Sequence, residues 1–229
     1  MKNASGSMRD TVSKIALFEN LPDEKLTALI KAAIIKKYEQ REIMVQMGEV
    51  WPNLFVVIDG KIGAIKESVK GRVLTATTLS RGDVFWGLAF FIEDLPMPVM
   101  FQAQADTTIC LWDRDVLMPI IRSDGNMSWM LSQMMISRMQ LASEIVEELA
   151  FQPVMNRLSG LLLDMFADGE DEYKGRDLTL DDMASRIGTT REMVCRHLYR
   201  LAEWGAIDVS RTKLRIQNRS LLEKNAGRT

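Results

Sequence analysis

GTTREMVCRHLYRLAEWGAI, running from Gly188 to Ile207, has the marks of a helix with two defined ends and two unlike sides. Thr189 followed three positions later by Glu192 has the spacing of an N-terminal capping box, and Gly205 supplies the backbone freedom that stops a helix. Between them Val194, Leu198 and Leu201 recur at helical spacing and predict an inward stripe. Arg191, Glu192, Cys195, Arg196 and Tyr199 fall on the other side. A guanidinium matches the two acceptors on a guanine edge and a carboxylate accepts from the amino group of cytosine. The outward side therefore predicts base reading in the major groove by Arg191, Glu192, Cys195 and Arg196, with Thr190, Tyr199 and Arg200 expected on phosphates. For Glu192, helix capping alone is the competing role.

The segment before it, LTLDDMASRIG from Leu178 to Gly188, repeats the pattern on a smaller scale. Thr179 and Asp182 form a second capping pair, and Met183, Ala184 and Ile187 make an apolar stripe; Thr179 is also expected beside a phosphate. Only a tight glycine turn separates the two helices, which is the helix-turn-helix arrangement. Beyond Gly205, IDVSRTKLRI reads as a small hairpin, a wing whose Arg211 and Lys213 are expected on phosphate. Charge placement agrees with this reading. Residues 186–229 hold ten Lys or Arg against four Asp or Glu, a net of +6, while 151–185 hold three against eight, a net of −5. Runs of charge usually mark solvated surface, but four arginines between Arg186 and Arg200 behind a capped turn favour a nucleic-acid partner.

The whole chain is nearly neutral at −2, with 47% hydrophobic and 26% charged residues among 229, an ordinary balance for a globular protein of two domains. No apolar run is long enough to span a bilayer, and MKNASGSMRD lacks the apolar centre of a signal peptide, so no membrane partner and a cytoplasmic location are expected. Cys110 and Cys195 are too few for a disulfide framework or a four-thiolate cluster, and no metal site is expected.

An amphipathic opening with Leu17, Phe18, Leu21, Leu26, Leu29 and Ile30 suits short helices. From Glu42 the period changes to short β-rich runs, IMVQMGE, NLFVVIDGKIGAIKE, VKGRVLTATTLSRGDVF and VMFQAQADTTICLWD, punctuated by Gly48, Gly60, Gly71 and Gly82. That spacing predicts a small antiparallel barrel or roll able to hold one ligand. Between the halves a stretch free of proline and glycine carries Met135, Met139, Ala142, Val146 and Leu149 at heptad spacing, the seam of a symmetric dimer, beside a second stripe of Leu131, Met134, Leu141 and Ile145. The expected class is α+β: an effector roll with flanking helices over 1–122, a long dimerisation helix over 123–150, and a winged helix-turn-helix over 151–229.

This order of parts resembles the Crp–Fnr superfamily of bacterial transcription regulators over nearly the whole chain. The resemblance rests on GEVWPNLFVVIDGKIGAI (Gly48–Ile65), RGDVFWGLAFF (Arg81–Phe91) and TTREMVCRHLYRL (Thr189–Leu201). It implies a cyclic-nucleotide-binding-like jelly roll as sensor, a homodimer on a palindromic site with TGTGA-like or TTGAT-like half-sites, and RNA polymerase as a partner. Cys195 stands where the family often has serine or glycine. Cyclic-nucleotide binders of the family place a Glu soon after the Gly-Asp turn, then an Arg-Ser pair; here Gly87, Met97 and Pro98 align with those positions. A buried phosphate would lack its cation, so cyclic AMP held in the usual way is not expected. Neither is an iron–sulfur cluster, given two cysteines. Haem, which some relatives use, stays open as an alternative with poor ligands, since the single histidine, His197, sits on the recognition helix. The remaining expectation is a small apolar effector held by Trp86, Gly87, Phe90, Met97, Met100 and Met134, although such residues are more often plain core.

Two functional classes follow: an allosteric sequence-specific regulator of transcription, or a ligand-binding module that controls a partner protein through its C-terminal unit. No phosphate-binding glycine loop, paired-histidine metal spacing or nucleophile motif appears, so an enzyme is not expected.

Overall fold

A computed structural model describes residues 9–69, 71–166, 174–175, 178–210 and 213–227. The chain forms two compact units, Met1–Lys66 with Ala76–Leu141 and Glu67–Thr75 with Ala142–Thr229.

In the first unit a helical turn over 9–12 and helix α1 (Asp23–Lys31) precede eight strands. They are β1 (Ile34–Tyr38), β2 (Ile43–Val45), β3 (Asn53–Asp59), β4 (Lys61–Glu67), β5 (Val73–Ser80), β6 (Val84–Trp86), β7 (Met100–Ala103) and β8 (Thr107–Asp113). They form two four-stranded sheets, ordered β1-β8-β3-β6 and β2-β7-β4-β5. The central strands β3 and β8 explain the layering, because successive side chains alternate across a sheet. Phe55, Val57, Ile109 and Leu111 face the interior of the roll, where they meet Trp51, Ile62, Leu79 and Phe101. Leu54, Val56, Cys110 and Trp112 face outward, into a second core with Phe18, Leu29, Leu117 and Leu131. Trp112 donates its indole N–H to the Leu29 carbonyl at 2.8 Å and lies 5.3 Å from the Phe18 ring, tying the helices to the sheet. The β3–β4 turn requires glycine: Gly60 has φ +90°, and a Cβ there would lie 2.4 Å from the Asp106 carbonyl. The sequence reading began the strands at Glu42 and so missed β1, an edge strand whose Ile34 and Ile35 stay exposed.

Helix α2 (Arg114–Ser123) leads to α3 (Gly125–Phe151), which spans the expected 123–150 within two residues at its start and one at its end. The Asp124 carboxylate opens it by accepting from the N–H groups of Asn126 and Met127. Leu131 is buried and Met134 half-buried on the outer core, but Met139 and Val146 remain 67% and 65% exposed, and Met135, Ala142 and Leu149 are exposed with them.

The second unit contains α4 (Val154–Met165), β9 (Lys174–Gly175), α5 (Leu180–Arg186), α6 (Arg191–Glu203), β10 (Ile207–Val209), β11 (Lys213–Ile216) and α7 (Arg219–Ala226). Leu158, Leu162, Met183, Val194, Leu198, Leu201 and Ile216 share one core. The expected wing pairs Ile207 with Ile216 and Val209 with Leu214, and β9 adds a third strand to it.

Candidate nucleic-acid interface

Capping fixes both helices of the motif. The Thr179 hydroxyl accepts from the Asp182 N–H at 3.1 Å and the Asp182 carboxylate accepts from the Thr179 N–H at 2.9 Å, the reciprocal box that the spacing predicted. Its hydroxyl also donates to Asp182 at 2.7 Å, so the Thr179 expected on a phosphate is engaged within its own helix start. The recognition helix starts one residue later than expected. Thr190, not Thr189, is the cap, its hydroxyl accepting from the Met193 N–H. Gly188 takes φ +63°, and the Thr189 N–H donates to the Ala184 carbonyl, which uses Thr189 inside the turn. A Cβ on Gly188 would come within 2.5 Å of a Leu149 methyl. Gly188→Ala is therefore expected to cost ~1–2 kcal/mol in denaturant unfolding, most of it from the left-handed backbone; a variant as stable as the parent would refute this turn geometry.

Val194, Leu198 and Leu201 are buried beneath α6, which leaves the opposite side open. Arg191 is on that side but is ion-paired with Asp181 of α5 at 2.8 Å, both side chains more than half exposed. The Glu192 carboxylate is held below its ordinary pKa by its own backbone N–H, then by the Thr190 hydroxyl, with Arg191 adding to the effect. Arg196 is exposed with no ion pair among the described residues, Cys195 is half-buried, and Tyr199 is exposed. The Arg200 guanidinium lies over the Trp204 ring, 5.3 Å from its centroid, at the far end of the helix. Lys213 is exposed on the wing, while Arg211 lies outside the described residues. His197 is half-buried, and burial followed by Arg200 and Arg196 pushes its pKa down, so it is neutral near pH 7.

Sequence reasoning passed over Arg157. From α4 its guanidinium donates to three main-chain carbonyls: Ile187 at 2.8 Å, at the end of α5; Glu148 at 3.3 Å, near the end of α3; and Gln152, between α3 and α4. One side chain thus clasps the end of the long helix to the turn that launches the recognition helix. An arginine inside a helix has no spacing signature, and acceptors on the backbone leave no trace in the sequence.

The residues expected to line an apolar effector pocket do not converge on one space. On β6, alternation sends Phe85 toward the roll interior and Trp86 outward with Val84 and Phe90. Met97 is buried in the roll interior, Met100 is half-buried on β7, and Met134 packs on the outer core. Gly87 donates its N–H to the Asn53 carbonyl, and a Cβ on it would fall 1.8 Å from the Trp51 carbonyl oxygen. Trp51, Phe55, Phe85 and Phe101 form one aromatic cluster in the roll, the neighbouring ring centroids 5.2–6.5 Å apart. Burial pushes the Cys110 thiol up to about 12, keeping it protonated. No group of three metal-ligating side chains occurs among the described residues, and no helix among them is long and apolar enough to cross a membrane.

A model of the cyclic nucleotide-binding domain matches residues 35–124, and a model of the Crp-like helix-turn-helix domain matches residues 156–224. The chain is similar to the cyclic AMP receptor protein of Thermus thermophilus, 23% identical over 210 residues that span 92% of this chain and 96% of that one. It is also similar to the CRP-like cAMP-activated global transcriptional regulator of Mycobacterium tuberculosis, 23% identical over 226 residues covering 96% and 100%. Among solved structures, a regulator of the crp/fnr family from Eubacterium rectale matches with a TM-score of 0.78 at 18% identity, over 92% of this chain and 97% of that one, a likeness of fold.

Proposed function

The chain belongs to the Crp–Fnr superfamily of bacterial transcription regulators, its roll and its C-terminal unit each matched by the corresponding family model, and from that premise we propose that it acts in the cytoplasm as a homodimeric reader of duplex DNA. The observation that carries this reading is the open side of α6, where Arg191, Glu192, Cys195 and Arg196 stand free of the core formed by Val194, Leu198 and Leu201. A helix so divided can lie in the major groove and meet base edges with its first turns, while Thr190, Tyr199, Arg200 and Lys213 serve phosphates. The exposed seam of Met135, Met139, Ala142, Val146 and Leu149 supports pairing of two α3 helices, which sets two recognition helices on one palindrome, of TGTGA-like or TTGAT-like half-sites, in a complex that RNA polymerase joins. An effector signal at the roll would reach the DNA unit through α3 and the Arg157 clasp.

That effector is not cyclic AMP bound in the manner of the nucleotide-binding members. Support comes from Gly87, where a Glu would drive its Cβ into the Trp51 carbonyl, and from Met97, an apolar residue buried in the roll interior at the position aligned with the family's arginine. The relatives quoted above are named for cyclic AMP; this chain carries Gly87, Met97 and Pro98 where the resemblance expects the Glu and the Arg-Ser pair of the nucleotide-binding members. Relatives of this kind are regulators rather than enzymes.

Selection of bound sequences from random duplex DNA tests the reading. The expected result is a palindrome with half-sites about one helical turn, ~34–36 Å, apart, and an affinity that falls steeply with salt. No enriched site together with a flat salt response would favour control of a partner protein instead.

A further inference from the structure

The first unit has an open cleft of about 530 Å3 with walls from three stretches: residues 10–17, the β5–β6 turn and one turn of α3. Each wall brings one cation, Lys14, Arg81 and Arg138 respectively. Among the described residues none of the three is ion-paired. Arg81 donates to the Thr11 hydroxyl at 3.1 Å, and Arg138 donates to the Val84 carbonyl at 3.3 Å with its guanidinium 5.1 Å above the Phe85 ring. A guanidinium carries five N–H donors, so each arginine is anchored by one bond and keeps most of its donors unused. Two carboxylates, Asp10 and Asp83, also border the cleft, and Asp83 is engaged by the Ser80 N–H at 2.7 Å. Ile15, Leu17, Val84 and Met134 give it an apolar side.

We propose that this cleft binds a small organic anion, a carboxylate or phosphate monoester on an apolar body, and that it is the effector site of this chain. Three cations drawn from separate elements outnumber the two carboxylates at the cleft, and charge-assisted hydrogen bonds to a forked donor are among the stronger polar contacts. The apolar side shelters the body of the same ligand. The regulatory consequence rests on the α3 pairing proposed above: Met134 and Arg138 each stand one residue before a seam position, Met135 and Met139, so an occupied cleft braces α3 where the dimer would form.

Calorimetric titration of the full chain with phenyl phosphate, benzoate and the uncharged benzyl alcohol tests this. The expected result is saturable binding of one anion per chain, at least tenfold tighter than benzyl alcohol, with the preferred anion identifying the head group. Binding should weaken about tenfold, or ~1.4 kcal/mol, in each of Lys14→Gln, Arg81→Gln and Arg138→Gln, and stay unchanged in Lys36→Gln on β1. Lys14 is exposed, so its variant tests the cleft without disturbing packing. No binding of either anion tighter than ~1 mM, equal binding of benzyl alcohol, or indifference to all three substitutions would overturn the proposal. Sedimentation of the same samples separates the two readings: a monomer that binds the anion keeps the cleft and removes the dimer.

Discussion

Val146→Glu is expected to turn the protein into monomers in sedimentation and to lower its affinity for a two-half-site duplex by ~10²–10⁴-fold. Val146 is 65% exposed in the single chain, so the substitution disturbs little of the chain's own packing, and circular dichroism should keep its helical signal. In a symmetric pair, position 146 of one helix meets the seam of the other, and Glu144, Glu147 and Glu148 already load this part of α3 with negative charge. Two further carboxylates enclosed there would each lose hydration without gaining a partner. A monomer still offers one recognition helix, so binding to a half-site should persist at its weaker single-site level. If the mass stays that of a dimer, the partner helix lies elsewhere, and the exposed face of Trp129 and Ile136 becomes the next position to charge.

Arg196→Ala is expected to cost ~1–3 kcal/mol on the selected site, about 5- to 150-fold in affinity, and to blur base preference at one position of each half-site. Arg196 is exposed on α6 with no ion pair among the described residues, so the loss reports on DNA rather than on folding. Arg200→Ala is the contrast. With its guanidinium over Trp204 at the far end of the helix, it is expected to weaken binding about equally on every sequence and to lower the salt slope by about one. Equal losses on specific and random duplexes for Arg196→Ala would move that residue to the phosphates as well.

The C-terminal unit was legible because its signals are local. Capping pairs three residues apart, a glycine turn and an apolar stripe of period near four each occupy a short window, and they specified the starts of α5 and α6 to within a residue and a hairpin after Gly205. The slip from Thr189 to Thr190 arose because two consecutive threonines offer equally good caps, and only the turn, which takes the Thr189 N–H for Ala184, decides between them. In the roll, β1 escaped notice because IIKKY is an edge strand without alternation, stabilised by its pairing with β8 far along the chain. The effector pocket failed for a related reason. Trp86 and Met97 look alike as apolar residues, but alternation along β6 sends Trp86 outward, while main-chain bonds to Gly48 and Glu49 hold Met97 in the roll interior, and neither constraint shows in composition.

Arg157 also governs how freely the chain can change over generations. Its three acceptors are carbonyls of Glu148, Gln152 and Ile187, which every amino acid would provide, and its charge does not titrate away near neutral pH. Side chains at 148 and 152 can drift without loosening the clasp, while Ile187 is held by its own burial in the core; lysine at 157, with a single compact head, cannot span carbonyls set this far around a planar fork. Mutational tolerance in the joint between the long helix and the reading head is therefore uneven, concentrated against change at Arg157 and at buried Ile187 and relaxed at positions 148 and 152.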